Sequence, residues 1–191
     1  MGLYRLEIEP LPLGPDVRAI GLELTEASSG EPARGQPAAR IWSRVLRALA
    51  GVEPWALDFF SHLHRVREYC RTHGIAYRDA ASRTLVVDAP TPEVAEALLT
   101  RFAEEQFGVR AGERLRAGDP ALEAELSRRG ADAYHLTFPD YFFCALCDFG
   151  SGTLTLLTDR LWPAEVLRRV RPAVRELAVD AVTADFAGTG G

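Results

Sequence analysis

Cys144-x-x-Cys147 and Cys70-x-x-His73 are the places where residues able to bind a metal or act as nucleophiles recur at short spacing. Thiolates three positions apart suit a zinc knuckle or a redox pair, and a Cys and a His three apart on a helix share one face. Together Cys70, His73, Cys144 and Cys147 spell a Cys3His zinc site. Strand geometry works against it. The two later cysteines lie in an uncharged, aromatic run from Tyr141 to Cys147. Residues three apart on a regular strand point to opposite faces, and no Gly or Pro lies between them to bend it. Cysteine is also a common core residue, and Cys70 continues the apolar stripe of its own helix. Packed thiols are therefore the expectation and zinc the alternative. A cysteine nucleophile with His62, His64 or His135 as its base is a weaker alternative, because an apolar strand raises a thiol's pKa and makes it inert. A redox pair would sit at a helix start instead.

His62 and His64 are placed by the periodicity on a helix, where residues two apart diverge by about 200°, so they make a poor chelate and read as solvated. No Gly-x-Ser-x-Gly elbow, His-Glu-x-x-His pair or dinucleotide fingerprint occurs. All 22 basic residues are Arg, and the chain has neither Lys nor Asn. That bias is what a bacterial gene rich in G and C would produce, and such a gene is the expectation. Its chemical consequence is that Schiff-base, pyridoxal phosphate and phosphate-loop enzymes drop out.

The elements that would position these residues follow from patterning. The run from 141 to 148 reads as a strand buried on both faces, the centre of a mostly antiparallel sheet. Gly150-Ser151-Gly152 turns it into Thr153-Leu154-Thr155-Leu156, which alternates like a strand covered on one face. Tyr4 to Glu9 and Val17 to Thr25 predict an N-terminal β-hairpin over 1–26. Residues 27–37, rich in Ser, Gly and Pro, predict a loop or linker. Ile41, Trp42, Val45, Leu46 and Leu49 form the stripe of a helix stopped by Gly51. A second helix is expected from Pro54 to Gly74 with Phe59, Leu63, Val66 and Cys70 inward, packed antiparallel to the first. Thr84 to Val87 predicts a strand, and Thr91-Pro92 and Asp119-Pro120 open helices. A strand is expected at 134–138. Trp162-Pro163 starts a helix that Pro172 should kink or break near Arg171, and 179–186 adds a last strand. The sum is one α+β domain over 1–186, helices covering the sheet, with a flexible tail at 187–191.

The chain of 191 residues is long enough for a full core, with 47% apolar and 26% charged residues. A net charge of −5 disfavours generic binding to nucleic acid. The three cysteines cannot pair off into a closed disulfide framework, and residues 1–7 lack the pattern of a secretory signal. A cytoplasmic setting follows as the expectation. No uncharged run approaches the roughly twenty residues of a membrane span.

The end of the chain, Gly190-Gly191, resembles the termini of ubiquitin-like modifiers and sulfur carriers, and an N-terminal hairpin followed by a helix looks like the opening of their β-grasp fold. That resemblance implies a free carboxylate on Gly191 that an activating enzyme adenylates, and it covers the termini alone. Few titratable residues sit where a catalytic constellation would need them. The expected function is therefore non-catalytic: a binding or regulatory protein acting through a surface that meets another protein, without a cofactor. The Gly-Gly modifier and the zinc or cysteine enzyme are the alternatives.

Overall fold

The computed structural model describes residues 2–12, 18–80, 84–88, 90–117, 120–129 and 141–183. The alternation at the N-terminus produces two strands, β1 (Tyr4–Pro12) and β2 (Arg18–Glu26), antiparallel and in register from Tyr4 opposite Glu26 to Pro12 opposite Arg18. Leu6, Ile8, Ile20, Leu22 and Leu24 point to one face and are buried. α1 (Gly35–Ala50) buries the predicted stripe, and Gly51, at φ 61°, ends it by donating its N–H to the Arg47 carbonyl.

The second helix is shorter than its periodicity suggests. Trp55–Phe59 is a strand, β3, and the helix α2 begins only at Leu63, running to Thr72. In the strand, Leu57 and Phe59 enter the main core while Ala56 and Asp58 face the other way, all four buried. A buried charge is the reason the expectation fails: Asp58 looks like the wet side of a helix, yet it is paired inside the fold. Nor do α1 and α2 form an antiparallel pair. α1 packs against the helices α3 (Pro92–Arg101) and α6 (Pro163–Val174), while α2 lies over strand β5 (Thr84–Asp88).

The remaining elements are β4 (Arg78–Ala80), β6 (Gln106–Ala111), α4 (Arg114–Ala117), α5 (Pro120–Arg129), β7 (Phe143–Asp148), β8 (Thr153–Leu157) and β9 (Val179–Thr183). Thr91 caps α3 by accepting the N–H of Val94. The expected break at Arg171 is displaced: α6 runs through Pro172 to Val174 and then tightens into a 3-10 turn at Arg175–Leu177. Pro172 sits on the exposed side, where water can take the carbonyl whose partner N–H is missing.

One nine-stranded sheet joins these strands in the order β4-β5-β3-β6-β7-β8-β2-β1-β9. Every pair is antiparallel except β1 with β9. β7 is thus the fifth of nine, the predicted centre, and the N-terminal hairpin lies inside the sheet between β8 and β9. α1, α2, α3 and α6 cover one face over the main core. The other face carries smaller apolar clusters around Tyr141, Cys144 and Leu157 and around Ala56, Ala80 and Val86, with Leu115 of α4 packed on both.

The sheet's two margins are closed differently. β4 is only three residues long. At β9 the Arg171 guanidinium donates to the Ala181 carbonyl, from Nε at 3.3 Å and Nη2 at 3.0 Å.

The β7–β8 turn gives a direct test of the fold. Gly152 has φ 70°, and a Cβ there would lie 2.7 Å from the Leu24 carbonyl oxygen and 3.1 Å from Pro32 Cβ. Gly152→Ala is therefore expected to destabilise the chain by about 1–3 kcal/mol, through left-handed strain and a backbone clash together. A denaturant curve that shifts by less than a few tenths of a kcal/mol would contradict that turn.

Candidate functional site

The four metal-ligand candidates do not gather at one point. Cys144 packs with Tyr141 and Leu157 on the face away from the large helices, whereas Cys147 and Cys70 are buried in the main core. His73 is exposed at the end of α2, its Nδ1 2.9 Å from the Tyr69 carbonyl oxygen and its ring stacked on Tyr69. Among the described residues no group of three or more His, Cys, Asp or Glu side chains is placed to hold a metal ion. Gly190-Gly191, His135 and the strand expected at 134–138 lie outside the described residues.

Burial also sets the reactivity of the thiols. Desolvation pushes the Cys147 thiol well above its ordinary range and raises that of Cys70. Neither is a thiolate at neutral pH, and all three cysteines are buried with no disulfide between them. A disulfide reagent such as Ellman's should accordingly label the native protein at least about a hundredfold more slowly than the denatured chain. Rapid labelling of one thiol in native buffer would contradict that placement.

His62 and His64 flank the start of α2 rather than its middle. His62 is the N-cap residue, with the left-handed backbone φ 48°, ψ 34°. Its Nδ1 lies 2.7 Å from Glu105 Oε2, which also accepts Ser61 Oγ at 3.1 Å, while Arg65 Nη1 is 3.6 Å from Oε1. Glu105, just before β6, thus ties the β3–α2 connection to the end of α3 and offsets the backbone strain at His62.

Three depressions lie on the helical side of the sheet. An open groove of about 1000 Å³ runs between α1 and α3, with Tyr4, Ile41, Tyr69 and Leu177 as its apolar and aromatic lining and Arg40, Glu93, Glu96 and Arg101 as its charges. A second depression of about 310 Å³ lies between α2 and the end of α3, and a third of about 300 Å³ lies between the start of α1, the end of α3 and the β7–β8 turn. Arg101 lines all three. It is the last residue of α3, where a cation complements the helix dipole. Among the described residues neither Arg101 nor Arg34, beside it in the third depression, has an ion-pair partner.

The opposite face holds a different polar cluster. Asp58 of β3 and Arg110 of β6, 0% and 2% exposed, form a two-pronged ion pair: Nε to Oδ2 at 2.5 Å and Nη2 to Oδ1 at 2.8 Å. Arg110 Nη1 also donates to the Tyr141 hydroxyl at 3.3 Å, and Arg114 of α4 places its guanidinium carbon 5.9 Å from the Tyr141 ring centre. Its complete burial makes this a pairing that holds strands and cover in place rather than a surface for a ligand. The sequence signal for it was one charge of each sign set singly among apolar residues, in Trp55-Ala-Leu-Asp58-Phe and Phe107-Gly-Val-Arg110-Ala.

No helix among the described residues is long and apolar enough to cross a membrane. The chain matches no family model, no curated protein and no solved structure.

Proposed function

We propose that this chain is a non-catalytic binding or regulatory protein, acting in the cytoplasm, that engages another protein through the groove between α1 and α3. The observation that carries the reading is the meeting of three depressions at Arg101. A partner segment laid along the groove would find tyrosines and aliphatic side chains for its apolar residues and both signs of charge for its polar ones. Tyr and Arg are the residue types that supply most of the energy at protein interfaces. The net charge of −5 favours a protein over a nucleic acid as the partner. Cys70 and Cys147 support a binding role over a catalytic one, since burial raises both thiols and makes them poor nucleophiles.

Site-specific photo-crosslinking in the native cell tests this. A photoreactive residue in place of Ala97, on the groove wall, is expected to give one discrete protein adduct that disappears when Arg40 and Arg101 are both changed to Glu. The same probe in place of Arg128, exposed on α5, should give none. Equal adducts at the two positions would overturn the assignment.

A further inference from the structure

The third depression differs in character from the groove it adjoins. It is smaller and more enclosed, and its floor is apolar and deeply buried: Ala38, Ala39, Phe102 and Phe149 are 2%, 1%, 2% and 3% exposed. Arginines stand on its rim, Arg34 before α1, Arg65 on α2 and Arg101 at the end of α3. Of its two acidic residues, Glu105 is already engaged by Ser61, His62 and Arg65, which leaves Glu104, exposed, as the one unengaged acid against Arg34 and Arg101.

We infer that this cavity receives the C-terminal carboxylate of the partner chain, with the partner's last, apolar side chain on the Ala38, Ala39, Phe102 and Phe149 floor. The inference rests on the reading of the groove as a protein-binding surface. Three features lead to it. A volume of about 300 Å³ holds one side chain and its carboxylate and is at the small end of ligand cavities. The cavity opens onto the groove along Thr100 and Arg101, which line both. Finally, guanidinium groups without ionic partners meet a carboxylate in two-pronged, charge-assisted hydrogen bonds, and the apolar floor strengthens these by excluding water. A terminal carboxylate also presents its charge at fixed distance from the last side chain, as a cavity with arginines above an apolar floor requires.

The test is a library of random decapeptides, each made with a free and with an amidated C-terminus, titrated against the purified full-length chain. Free-carboxylate peptides with an apolar last residue should bind best, and amidation should weaken them about tenfold or more, as expected for loss of a charge-assisted hydrogen bond. Changing Arg34 and Arg101 together to Gln should erase that preference while moving the thermal midpoint by no more than about 4 °C, as expected for exposed side chains of which one complements a helix dipole. Equal binding of free and amidated peptides would overturn the carboxylate assignment and leave the groove reading standing. So would a carboxylate preference that survives the double substitution. If no peptide of either kind binds, the assignment falls too, and the Ala97 crosslinks decide whether the groove reading falls with it.

Discussion

Asp58→Asn is expected to destabilise the folded chain by about 3–5 kcal/mol, a large share of the roughly 5–15 kcal/mol typical of a protein's whole stability. The substitution keeps the shape of the side chain and removes its charge. It leaves the Arg110 guanidinium, 2% exposed, without the carboxylate on which its Nε and Nη2 converge. The Tyr141 hydroxyl is a neutral acceptor and does not replace it. The cation stays in the folded interior while the charge of the Asp58 carboxylate is gone, so the share of the desolvation cost that this carboxylate offset is no longer compensated. Replacing both partners, Asp58→Leu with Arg110→Met, should recover most of the loss, because a well-packed apolar pair removes the cost along with the attraction. Urea denaturation of the two variants measures both effects. A loss below about 1 kcal/mol for Asp58→Asn would show that the charge of Arg110 is balanced chiefly by other groups.

Phe143→Ala should cost a similar amount, about 3–5 kcal/mol, for a different reason. Phe143 is wholly buried in the main core, at the start of the central strand, with Ala111 of β6 as its cross-strand partner. Truncation leaves a cavity that strands held on both sides cannot collapse to fill. For a chain of this length each kcal/mol lowers the thermal midpoint by roughly 2–4 °C, so the expected shift is on the order of 10 °C. Leu146→Ala on the opposite, partly exposed side of the same strand should cost markedly less. Equal losses at the two positions would mean that the helical face does not carry the main core.

How much of this was legible in the sequence depended on whether a residue's surroundings are local. β1, β2 and β8 have side-chain alternation that one strand displays by itself, β7 has an uncharged run bounded by turn residues, and α1 and α3 have stripes, a stop signal and a cap within a few residues of one another. β3 and β6 were hidden because Asp58 and Arg110 look solvated until they are seen to neutralise each other across neighbouring strands. The same limit applies to the candidate site. Arg101 reads as an ordinary cation at a helix end, and only the packing of α1 against α3, with α2 beside them, brings it near residues 34 and 65. The cysteines show the converse. Their types suggested chemistry, but the two-residue period of β7 sends Cys144 and Cys147 to different layers of the fold.

The parallel pairing of β1 with β9 also bears on how the protein is made. β1 belongs to a hairpin made long before its second neighbour, Val179–Thr183, which comes from the far end of the described chain. Through most of synthesis the nascent hairpin therefore offers an unpaired row of backbone groups to any other extended segment. Contacts this distant in sequence form late and slowly, so the sheet can be completed only after β9 has emerged. The interval before β9 arrives is when a partly made chain is most open to mispairing, and truncations that remove β9 should partition into aggregates even though the central strands are intact.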